Sequence, residues 1–179
     1  VWAMLPIAGA THIYNRDLDP QGVGRIPRPE EYRAMAYLSL VCGARGLVSY
    51  AYRIPRDQSR RGFLASTDAP QLWAEVGRVN RELQSIGPQI LRGVPQRDSA
   101  APDEPVAWQI WYHQGQALVI MVNTTANAQV MQFDMPNLAD SSLRSVNSTQ
   151  RLDAGETGFL VPLQPYEVGI YVGSLANGE

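Results

Sequence analysis

One alternation constrains the first half of this chain more than any other feature. An apolar strand, a long loop and a helix are followed by a tight turn, a second apolar strand, another long loop and a second helix. Val1 to Ile7 is a nearly continuous apolar run and reads as a buried strand, with Pro6 at its end where no ladder donor is needed. The loop 8–28 is rich in Gly and Pro. The helix after it opens at Pro29, whose missing N–H would have no partner in a first turn. Glu30 and Glu31 then suit the positive end of the helix dipole. Tyr32, Met35, Ala36, Leu38 and Val41 supply a broad apolar surface, and Gly43 suits the C-terminal cap. Gly46 to Tyr52 is the second strand, and the polar loop 53–66 follows it. Thr67 or Asp68 is positioned to cap the next helix. Leu72, Trp73, Val76, Val79, Leu83 and Ile86 recur in it at helical spacing, and Gly87-Pro88 signals its end.

Strands that alternate with helices predict a parallel sheet. Loop length narrows the choice: both strand-to-helix loops are long, whereas the helix-to-strand turn at 43–45 is short. In a (β/α)8 barrel the first kind of loop builds the active site and the second only closes the scaffold. A buried parallel strand needs neighbours on both sides, and here one opens at Val1. The expectation is therefore a fragment, a processed chain or an incomplete record, whose first partner is the missing N-terminal part of the same protein.

Pro, Asp, Arg, Ser and Ala take over at 93–105 without an apolar period, as in a linker. Strand character then dominates. Val106 to His113 and Ala117 to Asn123 flank a turn at Gln114-Gly115. Gln129 to Met135, Leu143 to Val146, Gly158 to Leu163 and Val168 to Gly173 follow, a pattern that fits a small antiparallel β-sandwich. The expected fold class is α/β followed by all-β: the last two β/α units of a TIM-type barrel over 1–92, a linker over 93–105 and a sandwich over 106–179.

Composition removes several functions. A net charge of −2 argues against a nucleic-acid partner. No apolar run is long enough to span a bilayer, so no membrane partner is expected. The lone Cys42 excludes an internal disulfide and a cysteine-cluster metal site, and it reads as an inert core thiol. No cofactor and no metal are expected. All 15 basic residues are arginine, which reflects coding background rather than function.

Two stretches carry a resemblance. Arg-Pro-Glu-Glu-Tyr-Arg-Ala-Met-Ala-Tyr-Leu from Arg28, with Gly-Ala-Arg-Gly-Leu-Val-Ser-Tyr-Ala-Tyr ending at Tyr52, resembles the close of the catalytic barrel in bacterial glycoside hydrolases. The helix Trp73-Ala-Glu-Val-Gly-Arg-Val-Asn-Arg-Glu-Leu is similar to their final barrel helix, and Leu163 to Val172 to the last strand of their C-terminal sandwich. The resemblance implies that Val1 to Ile7 is strand seven and Gly46 to Tyr52 strand eight. It implies a carbohydrate substrate and a pair of carboxyl groups flanking the scissile bond. Retaining barrel enzymes of this kind place a glutamate at the end of strand seven, where this chain reads Ala8-Gly9-Ala10-Thr11-His12. Either the clan or the strand count differs, or the catalytic carboxylates lie on strands outside this chain. The alternative is a non-catalytic carbohydrate-binding or structural module.

Five residues are the candidates for contacting substrate: His12, Asp17, Tyr50, Tyr52 and Arg53. His12 follows a barrel strand, where it can meet a sugar hydroxyl or simply cap a loop. Asp17, like Asp19 beside Pro20, can accept a hydroxyl or shape a turn. Tyr50 and Tyr52 alternate at period two and should share a face, for sugar stacking or for core packing. Arg53 follows at the strand's C-terminal end, while Arg60-Arg61 reads as a solvated loop. Trp73 reads as core. Trp108 and Trp111 should point to opposite faces of one strand, which leaves one of them free to meet a glycan. Asn123 and Asn147 both open glycosylation sequons.

Overall fold

The computed structural model describes residues 1–8, 25–55, 63–96 and 104–176. The chain begins with β1 (Trp2–Pro6), α1 (Pro29–Val41) and β2 (Gly46–Tyr50). β1 and β2 pair in parallel, with Trp2 opposite Gly46 and Pro6 opposite Tyr50. As expected, Pro6 is the strand's final residue and Pro29 the helix's first. α1 ends in a Schellman motif: the Ala44 N–H donates to Ser39 O at 2.8 Å and the Gly43 N–H to Leu40 O at 2.9 Å. That closure holds Gly43 at φ +92°, where a side chain would be strained. Cys42 is the cap residue, beyond the last helical turn, so it is exposed and not the core thiol expected from the apolar stripe.

Leu5 and Ile7 of the first segment are buried beneath α1, at 4% and 1% exposure. The opposite face of the pair is bare, with Trp2 at 75%, Met4 at 68% and Val48 at 39% exposure.

A short hairpin, β3 (Arg53–Ile54) with β4 (Phe63–Leu64), leads to α2 (Ala65–Asp68) and α3 (Pro70–Arg92). Asp68 folds back to accept the Leu64 N–H at 2.6 Å, and Ala69 is the N-cap of α3. α3 continues past Gly87-Pro88 to Arg92. Ile86 and Ile90 lie one turn apart and are both buried, so packing keeps the last turns helical although Pro88 donates no hydrogen bond.

The remainder is all β: β5 (Val94–Pro95), β6 (Val106–His113), β7 (Gln116–Asn123), β8 (Gln129–Phe133), β9 (Ser142–Ser145), β10 (Arg151–Asp153), β11 (Phe159–Leu163) and β12 (Val168–Ser174). Part of the expected linker is therefore a strand, because Val94 pairs with Tyr112. Six strands form one sheet in the order β10-β9-β12-β7-β6-β5, and β8 with β11 forms a second layer. The β6–β7 hairpin turns on Gln114 at φ +50° and Gly115 at φ +70°, the backbone of a type I′ turn.

The central strands of the six-stranded sheet, β6, β7 and β12, are buried on both faces. Leu118, Ile120, Val122, Trp111 and Ile170 face the helices and join their core. Val119, Met121, Ile110 and Tyr171 face β8 and β11, where Phe133 and Phe159 stack with centroids 5.2 Å apart. Trp108 and Trp111 do point to opposite faces, with Trp111 buried and Trp108 partly buried. Trp111 is 5% exposed against the helices, and Trp108 packs 6.1 Å from Phe133. Each fully buried aliphatic side chain in this sheet stabilises the fold by about 1.5–3 kcal/mol.

Candidate functional site

The C-terminal ends of β1 and β2 lie side by side, as parallel pairing requires. Of the five candidates, His12 and Asp17 lie outside the described residues, as do Asp19, Arg60 and Arg61. Tyr50 is the last residue of β2 and is 44% exposed. β2 stops there, two residues short of the expected end, so the period-two alternation does not reach Tyr52. Tyr52 turns instead towards α3, where its ring lies 4.8 Å from that of Trp73, tilted by 47°. Arg53 is exposed on β3, paired through its backbone with Leu64. The structure thus gathers Tyr50, Tyr52 and Arg53 at one strand end. It adds Trp73, expected in the core but 37% exposed.

Behind this end, the helices are joined by a buried ionic cluster. Arg33 of α1 bonds Glu75 at 3.3 Å and Glu82 at 2.8 Å, both on α3. Glu75 also pairs with Arg78. The Tyr37 hydroxyl donates to Glu82 at 2.5 Å, and the Arg33 guanidinium sits 5.0 Å from the Tyr37 ring centroid. Burial, then the bond to Glu82, pushes the Tyr37 phenol far above its ordinary range. Burial likewise raises Tyr32, against the opposing effect of its 2.7 Å hydrogen bond with Ser49 of β2. Both phenols therefore stay protonated, and Glu75 and Glu82 tie α3 to α1 through Arg33. The sequence did carry a signal for this cluster. Glu75 and Glu82 are seven apart and fall on the same helical stripe as Leu72, Val76 and Val79.

At the mouth of α1, Glu31 caps the helix by accepting the Arg28 N–H at 2.8 Å. It also binds Arg25 through a two-point contact of 2.7 and 2.5 Å. The Arg25 hydrogen bond, foremost, holds the Glu31 carboxyl down at about 2, against the smaller raising effect of burial. A folded-state value below the unfolded one means that this stabilisation is present above the ordinary carboxylate range. It is lost as pH falls through the folded value. Acid unfolding followed by circular dichroism should accordingly show a Glu31-dependent loss between about pH 4.5 and about pH 2. Glu31→Gln should flatten that limb; an unchanged profile would refute the assignment.

Among the described residues, no three His, Cys, Asp or Glu side chains gather into a metal-binding group. A polar groove of about 320 Å³ lies elsewhere, on the large sheet, lined by Gln116, Asp140, Arg144 and Arg151 among others. Asn123 and its sequon are closed off, because Asn123 is fully buried.

No protein-family model and no curated protein matches the sequence. Solved structures do. The alpha-amylase of Geobacillus thermoleovorans, determined with acarbose, superposes with a TM-score of 0.66 at 15% identity, over 99% of this chain and 39% of its own. AmyP in complex with maltose gives 0.64 at 16% identity, over 99% and 42%. A cyclomaltodextrinase gives 0.60 at 13% identity, over 90% and 28%. The chain thus spans about two-fifths or less of the length of these structures. The likeness is one of fold: nearly the whole chain is folded like a part of these glycoside hydrolases.

Proposed function

We propose that this chain is the closing portion of a carbohydrate-acting glycoside hydrolase, the last two β/α units of its barrel followed by an accessory β-sandwich. Residues 1–92 supply barrel strands seven and eight, 93–105 the junction and 106–179 the sandwich. One observation carries the reading. The parallel pair β1–β2 covers one face with α1 while Trp2, Met4 and Val48 stand bare on the other. Parallel strands are stable when both faces are covered, and a barrel interior filled by side chains would cover these. The preceding strands of the same polypeptide are the natural cover, and they would bring the catalytic carboxylates with them.

On this reading Tyr50, Tyr52 and Arg53, with His12 and Asp17, form a wall of the substrate site and act on no bond themselves. Exposed tyrosines at a strand's C-terminal end can stack on a sugar ring and donate a hydrogen bond. The test is the longer polypeptide, assayed for glucose release from maltose and longer α-glucans. Hydrolysis is expected, and Tyr50→Ala should raise KM by roughly tenfold with kcat little changed. A polypeptide that carries six further β/α units and cleaves no glycan would end the hydrolase reading. Saturable glycan binding without cleavage would favour the non-catalytic module instead.

A further inference from the structure

Trp73 breaks the pattern of its own helix. Its neighbours on the apolar stripe, Leu72 and Val76, are each 3% exposed, whereas Trp73 keeps 37% of its surface open near the N-terminus of α3. Its ring rests on Tyr52, itself 46% exposed. Tyr52 is held at two points: its carbonyl accepts the Ala65 N–H at 2.9 Å, and its hydroxyl lies 3.4 Å from Ser66 Oγ. The two rings pack on each other and both keep part of their surface open to solvent. Ser66, Thr67 and Asp68 are exposed along the adjoining α2. Two packed aromatic rings beside the Ser66 hydroxyl match a particular chemistry, that of a ring with an apolar C–H face and a rim of hydroxyl groups.

We propose that Tyr52 and Trp73 form a stacking platform for one pyranose ring of a bound glycan, away from the bond that is cleaved. The assignment rests on the glycoside-hydrolase reading, which supplies the occupant. A nucleobase would also stack, but the chain's net charge of −2 opposes the phosphates that accompany it. Trp73 is then a binding residue that sets how long a glycan must be before it is held well.

The experiment uses the complete polypeptide, with maltotriose as the probe. The Trp73 indole N–H resonance, assigned by its disappearance in Trp73→Phe, is followed during titration. It should shift with saturation, and Trp73→Ala should weaken maltotriose binding roughly tenfold, while Trp73→Phe keeps most of the affinity. A resonance that stays still at saturation would overturn the platform, as would unaltered affinity in Trp73→Ala or no binding of the probe. Should Trp73→Ala fail to fold, the wild-type titration and Trp73→Phe still decide. Hydrolysis of α-glucans unaffected by Trp73→Ala sinks the platform alone. Binding that depends on Trp73 without any hydrolysis sinks the hydrolase reading and leaves the platform standing.

Discussion

Arg33→Met should destabilise the protein by about 3–5 kcal/mol, the cost of breaking a buried ion pair by removing one partner. Arg33 lies between Glu75 and Glu82, with side-chain exposures of 10%, 6% and 11% respectively. Once the guanidinium is gone, Glu82 keeps the Tyr37 hydroxyl as a donor and Glu75 keeps Arg78. The triple change to apolar residues of similar volume should recover much of the loss, because it leaves no charge stranded. Urea unfolding of the single and triple variants decides. A single variant within 1 kcal/mol of wild type would mean that the cluster is solvated and not buried. The cluster's role is to set α1 and α3 in one register, so its loss should loosen the helix pair that supports the ends of β1 and β2.

Asn123→Asp tests the other half of the chain and should cost about 3 kcal/mol or more. The Asn123 amide nitrogen donates to Asn127 O at 2.7 Å, Gln164 O at 2.9 Å and Leu163 O at 3.3 Å. Its oxygen accepts the Thr125 N–H and hydroxyl, both at 2.9 Å. One fully buried side chain thus ties the end of β7 to the turn before β8 and to the end of β11. Aspartate has the same shape, but it would aim a carboxylate oxygen at three carbonyls. Burial of that oxygen against carbonyls, with no donor facing it, disfavours the charged form, so the penalty should grow as pH rises above the ordinary carboxylate range. Thermal unfolding at two pH values measures this. A melting temperature equal to wild type at neutral pH would rule the tie out.

The sequence announced elements through periodicity, and it failed where periodicity stopped being the deciding force. The parallel pair, α1 with its Pro29 start and Gly43 stop, and the β6–β7 hairpin are all local patterns, and all are found. α3 outran its proline because Ile90 repeats the stripe one turn beyond Ile86. Trp73 fits the stripe by spacing but lies at its margin, where Tyr52 covers it only in part. Spacing alone cannot tell the centre of a stripe from its edge. Cys42 illustrates the same point at a helix end. For the site, the strand end that collects Tyr50, Tyr52 and Arg53 could be read in advance, whereas the partnership of Tyr52 with Trp73 could not. Those residues are 21 apart in sequence and meet only because the chain turns back through β3, β4 and α2.

The burial of β6, β7 and β12 on both faces limits how such a protein can be rearranged over evolution. Leu118, Ile120 and Ile170 point into the helical core, while Val119, Met121 and Tyr171 point towards β8 and β11. Alternate residues of the same strands therefore answer to different neighbours. A recombination event that cut the chain at 93–105 and moved the β portion to another scaffold would carry away one wall of the helical core. The β portion therefore shares one core with α1 and α3. Drift on either side of β7 has to be matched by change in the layer it faces.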